Sequence, residues 1–477
     1  MSSILILIPL FGVMILNLPF RSVMKRLAFW FAAVLFLVQM IVAVFHHSTI
    51  WGSSMTTFDP FFKVDFLTDS LSFIVLLAIG VVSLTSLIVA RYTLKDENER
   101  FNFINLLIIA SIGMSGIVMV SDIFSLYVFL EITAVSAFIL IALQKERQAL
   151  EGAFKYIFLS AIATIMMLSS IALLLLLTGG TSFAAIKAVV SGPGASFFGK
   201  FAVGLFLCGL FIKGGVVPFH GWLPDAYSTA PSAVSVLLAG IITKVSGIYT
   251  LMRIVISVFG FDVHISHILM FAGAVSIVTG ALAALGQSDF KRMLAYSSIS
   301  QVGYIVLGLG TGTMLGILGA AFHLFNHAIF KTLLFVNSAS VERETGTRNM
   351  DSLGGLSAKM PVTGATSVIA FLSTSGIPPL AGFWSKLMII VALWMSSNYA
   401  YAVIAVAASA LTLAYFLSMQ RRVFFGKVAE GLENIKEAPG GLVFVSIALA
   451  AITIGVGLAF PVFYTQLIEP IKELITW

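Results

Sequence analysis

Five ionisable residues lie in the middle of long apolar segments, where a charge is most costly. Each flanking run is long enough to cross a bilayer, which takes roughly 20 apolar residues. An ionisable residue at that depth costs about 2.5–3.5 kcal/mol on insertion scales. Because only 10% of the chain is charged, five such residues on five separate segments indicate a buried ionic path. The pattern predicts a transport protein whose path includes Glu131, Lys213, Lys244, Lys331 and Lys386.

The composition places these residues in a polytopic membrane protein. Apolar residues make up 59% of the 477 residues, which is far more than a soluble domain of this size contains. Windows of ~19 residues predict about fourteen helical spans, joined by loops too short for a soluble domain. The sequence therefore predicts a single all-α membrane domain over residues 1–477. The predicted spans are 3–19, 27–45, 70–91, 103–120, 123–143, 154–178, 201–228, 232–253, 265–286, 293–310, 314–338, 362–396, 401–425 and 442–465.

Basic residues mark one side of the predicted membrane. Most of the 27 lysines and arginines follow odd-numbered spans, including Lys291 and Arg292, whereas Arg253, the last residue of the eighth predicted span, is counted on the opposite side. The positive-inside rule then predicts cytoplasmic basic loops and both termini outside the cell (inner or plasma) membrane. The net charge of +6 is a topology signal and gives no reason to expect a nucleic-acid partner. Met1–Leu10 carries no basic region, so no signal peptide is expected.

Two spans are interrupted in the same way. Gly215–Trp222 reads GVVPFHGW and Gly376–Phe383 reads GIPPLAGF, so both match G-x-x-P-x-x-G-aromatic. In lipid, the backbone groups that proline and glycine free are tolerated only where protein or trapped water satisfies them. The breaks are five spans apart and run in opposite senses, which predicts an inverted-repeat transporter with sites near the midplane. Lys213 precedes one break and Lys386 follows the other; two ordinary proline kinks are the alternative.

Longer motifs around these breaks resemble a known family. VVPFHGWLPDAYSTAPS at 216–232, followed by LAGIITK at 238–244, resembles the most diagnostic stretch of the proton-conducting antiporter-like subunits. These occur in respiratory complex I, membrane-bound hydrogenases and Mrp-type multisubunit cation/proton antiporters. Further matches, in order, are DFLTDSLS at 65–72, FLE at 129–131, SDFKRMLAYSSISQVG at 288–303, HLFNHAIFKTLLF at 323–335 and GFWSK at 382–386.

The resemblance implies an arrangement for the helices and partners for the chain. Two inverted five-helix repeats are expected, repeat A over about 103–253 and repeat B over about 265–425, with the seventh and twelfth helices broken. Flanking helices would cover 3–91 and 442–465. Other membrane subunits of a complex, with or without a peripheral redox arm, are the expected partners. The short tail after the last span is expected for the medium-sized subunits of the family.

The resemblance also implies roles for the buried residues. The family pairs Glu131 with Lys213, and an opposite charge nearby keeps both ionised, so moving the glutamate away would let Lys213 release a proton. Lys244 is the expected relay to the centre of the membrane. Lys386 is the expected terminal site facing the outside, where many relatives from complex I carry a glutamate instead.

Histidines extend the predicted path. His323 and His327, four residues apart on one helix face, suit proton shuttling because histidine titrates near neutral pH; a metal pair is disfavoured because neither Glu nor Cys lies nearby. Lys331 is one turn further on, with a snorkelling anchor as the alternative. His220 and Asp225 either cap and stabilise the broken helix or line the entry half-channel, and we favour the second interpretation.

Three hypotheses about function remain open. The chain has no phosphate-binding lysine loop, cysteine cluster or haem signature, so no cofactor or metal is expected, and membership of an oxidoreductase complex stays undecided. It is either a proton-translocating subunit of a redox-driven or Mrp-type complex, a sodium-translocating subunit of the same fold, or a structural scaffold. Lysines favour protons, because a dehydrated cation needs oxygen ligands and Glu131 is the only carboxylate deep in a span.

Overall fold

The computed structural model describes residues 4–19, 21–50, 55–59, 64–190 and 196–475. Over these residues the chain is almost entirely helical, and twelve helices are long and apolar enough to cross a membrane. The first predicted span is the shorter apolar helix Ile4–Leu16, and the twelfth is divided between Pro361–Ser375 and Ala381–Met395. Every predicted span thus coincides with a helix or a divided helix, and the predicted all-α polytopic fold is confirmed.

The helices are numbered here in chain order. The first ten are α1 (Ile4–Leu16), α2 (Arg21–Ile50), α3 (Ser70–Thr93), α4 (Glu97–Met119), α5 (Ile123–Ile141), α6 (Arg147–Thr178), α7 (Phe183–Val190), α8 (Phe197–Gly214), α9 (Trp222–Thr229) and α10 (Ser232–Phe259). The next seven are α11 (Val263–Leu285), α12 (Phe290–Gly310), α13 (Met314–Thr345), α14 (Pro361–Ser375), α15 (Ala381–Met395), α16 (Tyr399–Val423) and α17 (Gly440–Leu458), and short helical segments follow over Phe460–Phe463, Tyr464–Ile468 and Glu469–Ile475. An antiparallel hairpin, Met55–Asp59 with Val64–Thr68, precedes α3.

Aspartates fix where several helices begin. Asp69, Asp122 and Asp289 precede α3, α5 and α12, and each carboxylate accepts a backbone N–H of the first turn, at 2.8, 2.7 and 2.8 Å respectively. Such a carboxylate satisfies an N–H that the helix leaves unpaired, and it opposes the positive end of the helix dipole. These caps hold the helix ends in register with the connecting loops.

Three helices form the centre of the bundle. The most apolar stretches of α10 and α13 are entirely buried inside the protein, and that of α12 is 94% buried. By contrast, only 28% of the corresponding stretch of α6 and 33% of that of α2 are buried, so these two helices lie at the periphery. The central helices carry Lys244, Lys331 and both candidate histidines, which places this part of the candidate path inside protein rather than against lipid.

The chain leaves helical geometry at both G-x-x-P-x-x-G motifs. α8 ends immediately before Gly215 and α14 immediately before Gly376, and these glycines have φ of 66° and 83°. That left-handed conformation is cheap only for glycine and is the common way to end a helix. Both interruptions therefore begin at the first glycine of the motif. The grouping of the helices into two inverted repeats stays a prediction.

Arg253 lies deeper in the protein than the predicted end of the eighth span implied. The helix α10 runs on to Phe259, so Arg253 lies inside it and is only 2% exposed. Its guanidinium binds Asp69 through two hydrogen bonds of 2.6 and 2.9 Å and also donates to the Tyr249 hydroxyl at 3.0 Å. A guanidinium can be buried when a carboxylate satisfies it in this two-pronged geometry. The pair joins the start of α3 to the middle of the bundle.

Candidate ion path

The structure brings Glu131 and Lys213 together across helices α5 and α8. Lys213 Nζ lies 3.0 Å from Glu131 Oε1, and Thr164 of α6 donates to the same oxygen at 2.8 Å. Lys213 also lies 3.4 Å from the Ser160 hydroxyl. Lys213 is buried, whereas the Glu131 side chain is 28% exposed on the flank of the protein. The pair therefore links the interior to the protein surface at the depth of the membrane.

A close helix crossing sets the spacing between Lys213 and Lys244. A Cβ on Gly247 of α10 would lie 2.2 Å from the Cα of Gly214 and 2.9 Å from the carbonyl carbon of Lys213. The two backbones are therefore in direct contact, as small residues allow at helix crossings in membranes. Lys213 precedes Gly214 directly, and Lys244 is one turn before Gly247, so both lysines lie beside the crossing.

Lys244 lies where α10 departs from α-helical hydrogen bonding. Segments of α10 are π-helical over Leu238–Ile242 and Lys244–Tyr249, a geometry that is rare and frequent at functional sites. The carbonyl of Leu238 accepts hydrogen bonds from the hydroxyls of Tyr227 and Thr243, at 3.1 and 3.0 Å. The Lys244 ammonium donates to the neighbouring carbonyl of Ala239. The lysine is thus held by backbone dipoles within its own helix.

The two histidines and Lys331 line one stretch of α13. The rings of His323 and His327 are nearly parallel, with centroids 6.2 Å apart, and His323 Nδ1 lies 2.9 Å from the Ser385 hydroxyl. Neither ring nitrogen of His327 has a hydrogen-bond partner among the described residues. Lys331 is fully buried and donates to the Ser297 hydroxyl and to the carbonyl of Leu294. This burial excludes the snorkelling alternative for Lys331.

Lys386 lies against an aromatic face instead of a carboxylate. Its Nζ is 4.3 Å from the centroid of the Tyr304 ring, and the ammonium has no hydrogen-bond partner among the described residues. The Tyr304 ring is also 5.9 Å from the His323 ring, and the Tyr304 hydroxyl is held by the carbonyl of Ala405 at 2.6 Å. Tyr304 therefore lies between His323 and Lys386 and contacts both.

The two entry candidates have different surroundings. Asp225 on α9 forms ion pairs with Lys155 of α6, at 2.7 Å, and with Arg292 of α12, at 2.5 Å. These contacts fasten α9 to α6 and α12. His220 lies within the break, just before α9, is partly exposed, and its Nδ1 has no hydrogen-bond partner among the described residues. An entry role for either residue stays a prediction.

The ion pair of Lys291 and Glu342, like that of Arg253 and Asp69, was missed by the sequence analysis. Lys291 was assigned to a loop, but it lies in the first turn of α12, is 2% exposed and pairs with Glu342 of α13 at 2.7 Å. The Ser232 hydroxyl donates to the same carboxylate at 2.6 Å. All three line a cavity of about 420 Å³ that also contacts Arg348. The helix α13 continues beyond the predicted end of its span at residue 338 to Thr345, so Glu342 lies in this helix and not in the loop after it.

Comparison with known proteins identifies the family. The family model described as "NADH:quinone oxidoreductase/Mrp antiporter, TM" matches residues 120–412. A Na(+)/H(+) antiporter subunit from Alkalihalophilus pseudofirmus is 32% identical over 409 residues, 85% of this chain and 83% of that protein. An NADH-quinone oxidoreductase subunit from Desulforudis audaxviator is 32% identical over 449 residues, 92% of this chain and 89% of that protein.

Solved structures share the whole fold. A chain of the membrane-bound sulfane sulfur reductase, an archaeal respiratory membrane complex, is 27% identical with a TM-score of 0.89 over 99% of this chain and 97% of that one. A chain of the Mrp complex from Dietzia sp. DQ12-45-1b has a TM-score of 0.92 at 23% identity over 99% of this chain and 97% of that one. The predicted family is confirmed: this chain belongs to the NADH:quinone oxidoreductase/Mrp antiporter family of membrane proteins.

Proposed function

We propose that the chain is a proton-translocating subunit of a multisubunit membrane complex. Protons would move along Glu131, Lys213, Lys244, the two histidines of α13 and Lys386, with Lys331 beside the central segment. The relatives support an ion-transport role, since one is a subunit of a Na(+)/H(+) antiporter and another is a subunit of an NADH-quinone oxidoreductase. The names of the relatives support both redox-driven and antiporter assemblies.

The absence of carboxylate partners at three buried lysines carries this proposal. Among the described residues, the ammonium groups of Lys244, Lys331 and Lys386 contact carbonyls, a hydroxyl and aromatic rings, and none forms an ion pair. A lysine kept only for structure is normally paired when buried, because an unpaired buried charge is costly. An unpaired buried lysine loses its charge readily, and a residue that passes protons has to do this in each cycle.

The same surroundings favour protons over sodium. A dehydrated metal cation takes several oxygen ligands, mostly from carboxylates and carbonyls. Among the residues of the proposed proton path, Glu131 is the one with a carboxylate. Its Oε1 atom already accepts hydrogen bonds from two donors, Lys213 and Thr164. A cation would have to displace the ammonium of Lys213 to bind there. Lysine and histidine side chains, by contrast, accept and release protons directly.

The proposed proton path also accounts for several buried polar atoms that lack a hydrogen-bond partner among the described residues. Among the described residues, His327 and the Nε2 atom of His323 lie buried without a hydrogen-bond partner, as do Gln301 and Ser300 of the neighbouring α12. Such groups are normally satisfied by ordered water. Water beside these side chains would connect Lys244 and Lys386 through a hydrogen-bonded chain across the centre of the bundle.

Orientation and repeat structure are part of the proposal. We place both termini on the outer side and the basic loops in the cytoplasm, following the positive-inside rule. We assign residues 103–253 and 265–425 to two inverted repeats, since both glycine motifs end a helix at equivalent positions, Gly215 and Gly376. Lys386 then lies on the outer half of the path, and His220 and Asp225 lie on the cytoplasmic half.

The test is proton transport by the reconstituted complex. Lys244→Met removes the ammonium but keeps a long unbranched side chain, and we expect it to abolish proton movement into vesicles while the complex still assembles. Lys436→Met, at an exposed position, is the matched control and should transport normally. Normal transport by Lys244→Met would leave the chain as a scaffold, and the proposal would be wrong.

A further inference from the structure

A groove outside the ion path lies between α2, α3 and α4. Its volume is about 230 Å³, and it is lined at one end by four basic side chains and one acidic side chain. The acidic one is Glu97, and the basic ones are Lys25, Arg26, Arg91 and Arg100. The groove therefore carries a net positive charge. Among the described residues, none of the four basic side chains takes part in an ion pair.

The basic end of the groove is already partly organised. Lys25 donates to the Asn98 side chain at 2.6 Å, and the Arg91 guanidinium lies 5.0 Å from the centroid of the Phe29 ring. These neutral contacts hold Lys25 and Arg91 in place without cancelling their charge. Cations that are positioned but not neutralised form a suitable site for an anion with several acceptor oxygens, such as a phosphate group.

The other end of the groove is apolar. One turn into α3 from Arg91 lies Leu87, and one turn into α4 from Arg100 lies Ile104; both line the groove and are buried. Trp30 of α2 lines the same groove and is 63% exposed. The groove thus passes from cations at the helix ends to hydrocarbon within the membrane, with a tryptophan on its border. Tryptophan is enriched at membrane–water interfaces.

We propose that this groove binds one anionic phospholipid. The phosphate would lie among Lys25, Arg91 and Arg100, and an acyl chain would run past Trp30 between the helices. Basic pockets between transmembrane helices on the cytoplasmic side bind anionic headgroups in this way. A free phosphate would use only the basic end and leave the apolar end without a ligand. The bound lipid would also attach the largely exposed helix α2 to α3 and α4. This proposal does not depend on the proton path.

Photo-crosslinking tests the proposal in the assembled complex. The complex with the full chain is reconstituted into vesicles that contain a trace of phosphatidylglycerol or phosphatidylcholine with a photoreactive acyl chain, and labelled peptides are identified by mass spectrometry. We expect phosphatidylglycerol to label the peptides of α2, α3 and α4 that line the groove, and phosphatidylcholine to label them much less. Replacing the three phosphate-binding cations by glutamine should lower the phosphatidylglycerol label at least ~10-fold. That variant is Lys25→Gln/Arg91→Gln/Arg100→Gln.

Two further variants separate a specific site from general charge and from misfolding. The exposed cations Arg421, Lys427 and Lys436 belong to the same predicted side, and changing all three to glutamine should leave the label unchanged. Exchanging lysine and arginine within the groove keeps every charge and should retain most of the label. This second variant is Lys25→Arg/Arg91→Lys/Arg100→Lys.

Three results would overturn the proposal. Equal labelling by both lipids would show that the groove has no preference for an anionic headgroup. Displacement of the label by inorganic phosphate as efficiently as by unlabelled phosphatidylglycerol would assign the basic end to a free anion. Crosslinks from the groove to another protein of the complex, with no lipid label, would show that a protein partner covers it.

Discussion

The ammonium of Lys386 faces the ring of Tyr304 at 4.3 Å. The electron-rich face of an aromatic ring attracts a cation more weakly than a carboxylate does. The charged form of Lys386 is therefore accommodated without being locked by an ion pair. This arrangement suits a group that has to alternate between its charged and neutral forms.

Lys386→Arg should assemble and fail in transport. A guanidinium keeps the positive charge, but its pKa exceeds about 12, so it does not release a proton. We expect proton transport by the reconstituted complex to fall at least ~10-fold, and Lys386→Glu, the residue of many relatives, to retain part of the activity. Lys359→Arg in a loop is the control. Wild-type transport by Lys386→Arg would remove this residue from the path.

Breaking the pair of Glu131 and Lys213 should also stop transport. We expect Glu131→Ala or Lys213→Ala to reduce proton transport at least ~10-fold while the protein stays inserted, because each change removes one half of the opposite-charge pair at 3.0 Å. Glu430→Ala, at an exposed position, is the matched control. Normal pumping in vesicles with either pair variant would contradict the pair mechanism.

Gly376 should be needed for the position of Lys386. A Cβ on Gly376 would lie 3.1 Å from the Lys386 Cδ, and its φ of 83° adds strain for any other residue. Gly426 is the control, because its φ of 86° is similar but no atom lies within 4 Å of an added Cβ. Gly426→Ala therefore introduces the same backbone strain, about 1–2 kcal/mol, without a new side-chain contact. We expect Gly376→Ala to lower transport and Gly426→Ala to leave it unchanged in the same vesicle assay. Equal activities would show that the contact with Lys386 is unimportant.

The ion pair of Asp69 and Arg253 should stabilise the fold without serving the path. Asp69→Asn preserves the helix cap but leaves a buried guanidinium unpaired, which costs about 3–5 kcal/mol. Asp96 caps α4 without an arginine partner and is exposed, so Asp96→Asn isolates the effect of the cap. We expect thermal unfolding of the extracted complex to occur at a clearly lower temperature for Asp69→Asn only. Identical unfolding curves for the two variants would contradict this assignment.

Reporter fusions test the proposed orientation. A phosphatase fused after Trp477, which lies outside the described residues, should be active because it faces outward. The same reporter inserted after Gly431, in a basic loop that we place in the cytoplasm, should be inactive, and a fluorescent protein should show the reverse pattern. A fusion at Trp477 that reports only from the cytoplasm would overturn the orientation or the number of spans.

Long apolar runs and the glycine–proline motifs predicted most of the fold from sequence. Helix ends were less predictable, because α10 and α13 run beyond the ends of their predicted spans and α12 begins at Phe290, before the predicted start at 293. As a result Arg253 was placed at a helix end and Lys291 in a loop, although Asp69 and Glu342 neutralise them inside the protein. Partners so distant in sequence leave no local signal.

The π-helical stretches around Lys244 could not be predicted from sequence either. A tertiary contact accompanies the first of them, since the hydroxyl of Tyr227 on α9 donates to the carbonyl of Leu238. The candidate residues of the path were easier to predict, because an ionisable side chain in an apolar run is visible without any knowledge of its partners. Their roles as proton carriers remain predictions for the transport experiments.

The contact between Gly214 and Gly247 has a mechanical consequence. With backbone against backbone, α8 and α10 cannot approach each other further at this point. We expect the crossing to hold the backbones of Lys213 and Lys244 together as one rigid unit. Glu131 reaches this rigid unit only through side-chain contacts from α5, and it is partly exposed on the flank of the protein. We therefore expect a neighbouring protein to control when Lys213 releases its proton, by attracting Glu131 away from it.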